Sequence, residues 1–360
     1  SGTFHICHCR FVFCVHLDLD MKASFRYTPL EFKRPAGTSR GILLVKHSWL
    51  LEIEDNGITG TGECSIIPDL SPDFTSLEDY EQKLAETVTQ INSGILTFDS
   101  APHLLNEYPS VLFGVECAFL DLKNGGKKVY FDNEFSKGNQ AIDINGLVWM
   151  GDEMFMQTQI EEKLKNGFST IKMKIGAIDF ETEFSLLKNI RNQFGTEIIT
   201  LRVDANGAFT SGEATTILQR LADLGIHSIE QPIKAGQWKE MKQLCSSTPI
   251  PIALDEELIG IYSRERKIEL LDTIQPQFII LKPSLHGGIF GTREWIQLAE
   301  ERQIAWWMTS ALESNIGLKA ICELTAEYKN PLPQGLGTGS LYVSNFESRL
   351  TVENGKIFIR

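Results

Sequence analysis

Five charged residues, Lys174, Asp204, Glu230, Asp255 and Lys282, each close a short apolar run, and they follow one another at intervals of 25 to 30 residues. That is the length of one strand plus one helix in a barrel of eight such units, about 30 residues each in a domain of ~250. The runs STIKMKI, IITLRVD, HSIEQP, PIPIALD, FIILKP and IAWWMTS are short and β-prone. Between them, ETEFSLLKNIRNQF, GEATTILQRLADLG, WKEMKQLCSS and GTREWIQLAEERQ carry apolar residues at spacings of three and four, the period of a helix with one buried face. Such alternation predicts parallel strands joined by right-handed crossovers, which close into a barrel when about eight units follow one another. Functional groups of a barrel gather at the C-terminal strand ends, so one charge per unit predicts convergence on one mouth.

With 360 residues the chain exceeds such a barrel by roughly a hundred, and 42% hydrophobic content supplies core for a second domain. Residues 21–140 read as that domain, an α+β unit, with 141–335 as the barrel domain. Its strands lie around SFRYTPL and GILLVKHSWLLEIED, with a turn at Asn56-Gly57, followed by helices around SLEDYEQKLAETVTQI and PSVLFGVECAFLDLKN. Phe32 to Gly41 and Gly62 to Pro72 are rich in Gly, Pro and Ser yet carry Arg34, Arg40 and Glu63; they suit loops of a cap over the barrel mouth. Residues 1–20 hold Cys7, Cys9 and Cys14 with His5, His8 and His16, in spacings that match no compact zinc module. They read as a non-native or disordered leader.

Composition excludes some partners. A net charge of −13 without a Lys/Arg-rich run would repel nucleic acid. No apolar stretch approaches the ~20 residues that cross a bilayer, so no membrane association is expected. The scattered Cys64, Cys117, Cys245 and Cys322 read as buried thiols of a cytoplasmic protein, and a homo-oligomer is left open.

Alternate strand residues share a face, so Lys172 and Lys174 point the same way and, inside a barrel, demand counter-charge. Asp204, Glu230 and Asp255 end the next three strands. Each alone reads as a turn residue or helix N-cap. Converging, the three carboxylates would repel one another unless a cation neutralised them, and all-oxygen ligation selects a hard ion, Mg²⁺ first. About three of its six positions would stay open to water and a substrate carboxylate. Lys282 would face Lys174 across the mouth, and the like charge of Mg²⁺ and of that lysine is expected to lower its pKa toward the working pH, making it a base. A metal on a carboxylate with lysines flanking the adjacent carbon is a device for removing an α-proton and stabilising the enediolate.

In this order and spacing, KMK, VDANG, EQP, LDE and LKPS resemble the enolase superfamily, specifically its muconate-lactonizing-enzyme subgroup, over nearly everything after Met21. The resemblance implies an α/β fold: a modified (β/α)8 TIM barrel of (β/α)7β type, with an N-terminal α+β capping domain completed by residues 336–360. It implies metal ligation by Asp204, Glu230 and Asp255, catalysis by Lys174 and Lys282, electrostatic support from Lys172, and Mg²⁺ with Mn²⁺ as a substitute. FKRPAGTSRG, INGLVWMG, SALESNIG and QGLGTGSLY further resemble the o-succinylbenzoate synthases of menaquinone biosynthesis. Dipeptide epimerases of the subgroup usually carry an Asp-x-Asp pair at the last barrel strand, where this chain reads GLGTGS.

The implied reaction is loss of water from 2-succinyl-6-hydroxycyclohexa-2,4-diene-1-carboxylate, a small-molecule carboxylate, to give 2-succinylbenzoate. Lys174 would take the α-proton and return a proton to the departing hydroxyl, Mg²⁺ would hold the enediolate, and Lys282 would stand as a cation beside the ring. Asn206, Gly288, Ser310, Glu313 and Ser314 are candidate pocket residues, against the alternative of ordinary strand-end turns. Arg40, by charge and loop position, is the candidate for steering the succinyl carboxylate. An N-acylamino acid racemase or dipeptide epimerase would use the same groups, a Schiff-base aldolase would need a lysine but no carboxylates, and a non-catalytic binding protein could keep the scaffold.

Overall fold

The computed structural model describes residues 21–38, 41–149, 151–176 and 178–360. The chain starts with four strands, β1 (Lys22–Tyr27), β2 (Leu30–Thr38), β3 (Gly41–Asp55) and β4 (Ile58–Ile66), in an antiparallel sheet where β3 pairs with all the others. Asn56 and Gly57, at φ +50 and +76, close the two-residue turn between β3 and β4, the geometry that Asn-Gly favours. Two segments expected as loops belong to this sheet. Phe32 to Thr38 lies in β2, where a register shift between Glu31 and Ala36 takes Pro35 out of the ladder. Gly62 to Ile66 lies in β4, which leaves 67–72 as the loop.

Three helices follow, α1 (Leu77–Asn92), α2 (Ala101–Leu104) and α3 (Pro109–Lys123). Helix α3 reads apolar almost all round because it is buried on nearly every side, between β4 and the barrel. Its close approach to β4 depends on glycine: a Cβ on Gly62 would stand 1.9 Å from the Gly114 carbonyl oxygen. Backbone cannot yield as a side chain can, so Gly62→Ala is expected to destabilise the fold by about 3 kcal/mol, measured by urea denaturation.

From residue 142 the chain alternates: β5 (Ile142–Asp143), β6 (Gly146–Val148), α4 (Glu153–Lys165), β7 (Thr170–Lys174), α5 (Phe180–Gln193), β8 (Thr200–Asp204), α6 (Ser211–Ala222), β9 (Ser228–Glu230), α7 (Trp238–Ser247), β10 (Ile252–Leu254), α8 (Arg264–Ile274), β11 (Phe278–Leu281), α9 (Gly288–Glu300), β12 (Ala305–Met308) and α10 (Asn315–Ala326). Strands β6 to β12 form one parallel sheet in sequence order. Parallel bridges Ile144↔Gln334 and Thr309↔Gly335 place a two-residue eighth strand between its two edges and close the barrel. The strands are buried on both faces, as helices outside and side chains inside require. Among the described residues no helix is long and apolar enough to cross a membrane.

The C-terminal segment divides between the domains. The Lys33 and Val343 N–H groups pair β2 with residues 341–343 across the Phe32↔Tyr342 bridge. The last hairpin, β13 (Leu350–Glu353) and β14 (Lys356–Ile359), instead pairs with β5, burying Ile357 and Ile359 at the start of the barrel. Residues 336–360 therefore do not return to the cap alone.

Two carboxylates of the cap seat it on the barrel. Glu116 of α3 accepts the Ile289 and Phe290 N–H groups, at 2.6 and 2.9 Å, on the N-terminus of α9. Glu63 of β4 accepts the Ser314 and Gly317 N–H groups, both at 2.9 Å, on α10. Anions are stabilised there by unpaired N–H groups and the helix dipole. Glu63, expected on a lid, is thus a fully buried junction residue. Gly288 serves the same junction, since a Cβ there would stand 2.3 Å from Glu116 Oε2.

Candidate active site

Parallel pairing in register brings the charged strand ends side by side. Lys172 is level with Arg202, Lys174 with Asp204, and Asp204 with Glu230; Asp255 and Lys282 follow β10 and β11 directly. Lys172 Nζ lies 2.5 Å from Glu230 Oε2 and 3.0 Å from Asp204 Oδ2. Lys174 Nζ donates to the same Asp204 oxygen at 3.0 Å and to Asn206 Oδ1 at 2.6 Å. Lys282 donates to Asp255 Oδ2. Three of the five spaced charges are thus joined through Lys172 in one chain of contacts, and the other two meet as the Lys282–Asp255 pair.

The strand ends are held by groups that the spacing did not single out. Asn206, at φ +44, donates its amide to Glu256 Oε1 at 3.0 Å, which leaves its Oδ1 turned to Lys174. Gln231 is fully buried; its Oε1 accepts the Asp255 N–H at 3.2 Å and its Nε2 donates to Glu257 at 3.0 Å, tying β9 to β10. His286 accepts the Lys282 N–H at Nδ1, 3.0 Å, and burial pushes it down to about 3, so the neutral acceptor form persists. Gln231 and Glu256 stood in EQP and LDE, and only the fold shows what they hold.

Burial and charge act against each other across the cluster. Desolvation alone would raise Asp204, but Lys172, Lys174 and Lys282 outweigh it and hold the carboxylate well below its usual range. Glu230 is pushed up, by burial and then by the charges of Asp204 and Asp255. Burial would lower Lys282, yet Asp255, Glu230 and Glu256 raise it above an ordinary lysine. The fall expected from like charge does not occur in the protein alone, because the neighbouring carboxylates exceed the repulsion from Lys172.

The donor set fits a hard divalent cation. Asp204, Glu230 and Asp255 are 1 to 2% exposed, and Glu230 Oε1 and Asp255 Oδ1 have no hydrogen-bond partner. Buried carboxylate oxygens without a donor are rare unless an ion or water serves them. Among the described residues no three such side chains are gathered into a ready-made cage; each of these carboxylates is engaged by a lysine instead.

A cavity of about 580 Å³ opens on this cluster. Lys172, Lys174, Lys282, Asp204, Asn206 and Glu256 line it at the barrel, and Leu43, His47, Ile67 and Leu70 of the cap, with Trp149, Leu312 and Leu341, add a largely apolar wall. Ser310 lines it too. Glu313 and Ser314 stand behind that wall: Glu313 accepts hydrogen bonds from Ser284 and Ser310, both at 2.6 Å, and Ser314 is bonded to Glu63. Arg34 is exposed on β2, and Arg40 lies outside the described residues.

Residues 156–360 match the family described as enolase C-terminal domain-like. The chain is 44% identical to the o-succinylbenzoate synthase of Desulfotalea psychrophila, over 93% of this chain and 98% of that protein. The crystal structure of MenC from the same organism superposes with a TM-score of 0.82 at 40% identity, covering 94% of this chain and 99% of the other. The L-Ala-D/L-Glu epimerase of Bacillus subtilis is 30% identical over 49% of this chain and 47% of its own length.

Proposed function

The chain belongs to the enolase superfamily and is one of its enzymes, and we propose that it dehydrates 2-succinyl-6-hydroxycyclohexa-2,4-diene-1-carboxylate to 2-succinylbenzoate, a cytoplasmic step of menaquinone biosynthesis. One observation carries the reading: Lys174 and Lys282, at the ends of strands four apart in the barrel, line a single cavity with Asp204 beside Lys174 and a largely apolar wall. The likeness to o-succinylbenzoate synthase over nearly the whole chain supports the choice of substrate. So does Gln334 to Ser340, which has no acid to hold a substrate ammonium.

Asp204, Glu230 and Asp255 would hold Mg²⁺, which when bound supplies positive charge to the substrate carboxylate and to the charge that develops on it. Lys174, as the free amine, takes the proton α to the carboxylate. Asn206 Oδ1 keeps a hydrogen bond to Nζ through that change and orients the lone pair. The ammonium so formed gives its proton to the departing hydroxyl; one C–H and one C–O bond break, water leaves, and the ring becomes aromatic. Lys282, kept an ammonium by Asp255, stands as a cation near the ring, worth about 0.5–2 kcal/mol.

The test is ultraviolet loss of the diene on mixing with the purified protein. Rapid loss with Mg²⁺ and none with EDTA is the expected result. No turnover above the uncatalysed rate, with Mg²⁺ bound, would sink the substrate assignment. Solvent deuterium entering the α-carbon of an N-acylamino acid or dipeptide would then reassign the site to epimerisation.

A further inference from the structure

One wall of the cavity is a strained turn. Leu312 has φ +65, a left-handed conformation that glycine adopts freely and a branched side chain resists. It is 8% exposed and Ala311 is 3% exposed, and both line the cavity. What restrains their backbone comes largely from outside the barrel. Lys46 of β3, itself buried, donates its ammonium to the Ala311 carbonyl at 2.8 Å. Tyr342, packed against Phe32 of β2 with ring centroids 4.9 Å apart, donates its hydroxyl to the Leu312 carbonyl. Within the loop, Ser310 Oγ accepts the Leu312 and Glu313 N–H groups at 3.0 and 3.2 Å.

Two successive carbonyls are therefore fixed by donors from two distant segments. The buried Lys46 ammonium makes its hydrogen bond to a neutral carbonyl, and burial outweighs the nearby charges of Glu313, Glu63 and Asp73 and lowers it to about 8; methionine would fill much the same volume without that cost. The apolar side chains of the turn also share a cluster with Leu30, Phe32, Ala36 and Ile67 of the cap, so the cap grips this wall through packing as well. A strained conformation persists only where its surroundings over-determine it, and here the surroundings belong to the cap and to the C-terminal segment.

We propose that Lys46 and Tyr342 are positioning residues that clamp the Ala311–Leu312 turn in its strained form, and that the clamped turn sets the fit of the substrate against the apolar wall. The second half rests on the dehydratase reading; the first does not. Lys46→Met and Tyr342→Phe remove each donor while keeping most of the volume. Each is expected to raise KM about tenfold and leave kcat within about twofold, the pattern of lost positioning rather than lost chemistry. Hydrogen exchange at the Leu312 and Glu313 amides should quicken at least about tenfold, with exchange elsewhere unchanged. In a Leu312→Gly background, where positive φ carries little cost, Lys46→Met should add less than about twofold to KM.

Unchanged exchange and unchanged KM in both variants would overturn the proposal. A Lys46→Met effect of equal size with and without Leu312→Gly would overturn it too, in favour of ordinary packing. If the parent protein turns nothing over, the dehydratase reading fails, and exchange at residues 312 and 313 still decides the clamp. If Lys46→Met does not fold, Tyr342→Phe, which loses a single hydroxyl, gives the same two readouts.

Discussion

Replacing Lys174 with alanine lowers kcat by about a thousandfold or more while leaving the affinity for 2-succinylbenzoate within a few-fold. A positioned general base is worth about 10²–10⁴ in rate. Lys174 is asked to move a proton twice, once from carbon and once to oxygen, so the loss belongs near the top of that range. The geometry predicts that the rest of the site survives. Asp204 loses one ammonium but keeps Lys172 at 3.0 Å, and Glu230 keeps its own bond to Lys172. Lys172→Ala is the contrasting variant, since it strips counter-charge from Asp204 and Glu230 together and should disturb the whole cluster. Diene loss by ultraviolet absorbance gives kcat, and calorimetry gives product affinity. A Lys174→Ala protein that kept more than about a tenth of the parent kcat would show that another group carries the proton, with Lys282 the first to test.

The barrel and its five charges were legible because both depend on local signals. Short β-prone runs fix the strands, and a parallel sheet in register converts even spacing along the chain into neighbouring side chains in space, as Lys174, Asp204 and Glu230 show. Segments whose structure depends on a distant partner were not legible. Phe32 to Thr38 has the composition of a loop, yet the long β3 beside it supplies enough pairing to hold it as a strand around a bulge. The eighth barrel strand is two residues, too short to leave any periodicity. Glu63 read as a residue of a capping loop, because nothing near it in sequence announces the helix N-terminus 251 residues further on that it caps. Lys46 and Ala311 are 265 residues apart, so their contact exists only in the folded chain. The upward pull on Lys282 in the metal-free protein was not legible for a related reason: lysines could be counted in the sequence, but the approach of three carboxylates to one of them could not.

Replacing Glu230 with glutamine should abolish the response of the protein to Mg²⁺ without unfolding it. Glutamine keeps the shape of the side chain and can still meet Lys172, whose Nζ lies 2.5 Å from Glu230 Oε2. In the variant Lys172, Lys174 and Lys282 face one acidic group fewer, which opposes a further cation at close range. An amide oxygen is also a weaker ligand for a hard ion than a carboxylate. Mg²⁺ affinity should fall at least about a hundredfold, equivalent to ~2.7 kcal/mol. Without metal the variant should stay folded, because the amide relieves the burial of a carboxylate that Asp204 and Asp255 also repel, while Lys172 keeps Asp204 as its counter-charge at 3.0 Å. Thermal melting separates these effects. Mg²⁺ at a hundred times its dissociation constant stabilises the parent by ~2.7 kcal/mol, a shift of a few degrees, and Glu230→Gln should gain no more than ~0.4 kcal/mol, a shift of about a degree or less, at the same concentration. Because the readout is binding, it holds whatever the substrate proves to be. An undiminished Mg²⁺ shift in Glu230→Gln would remove Glu230 from the metal site.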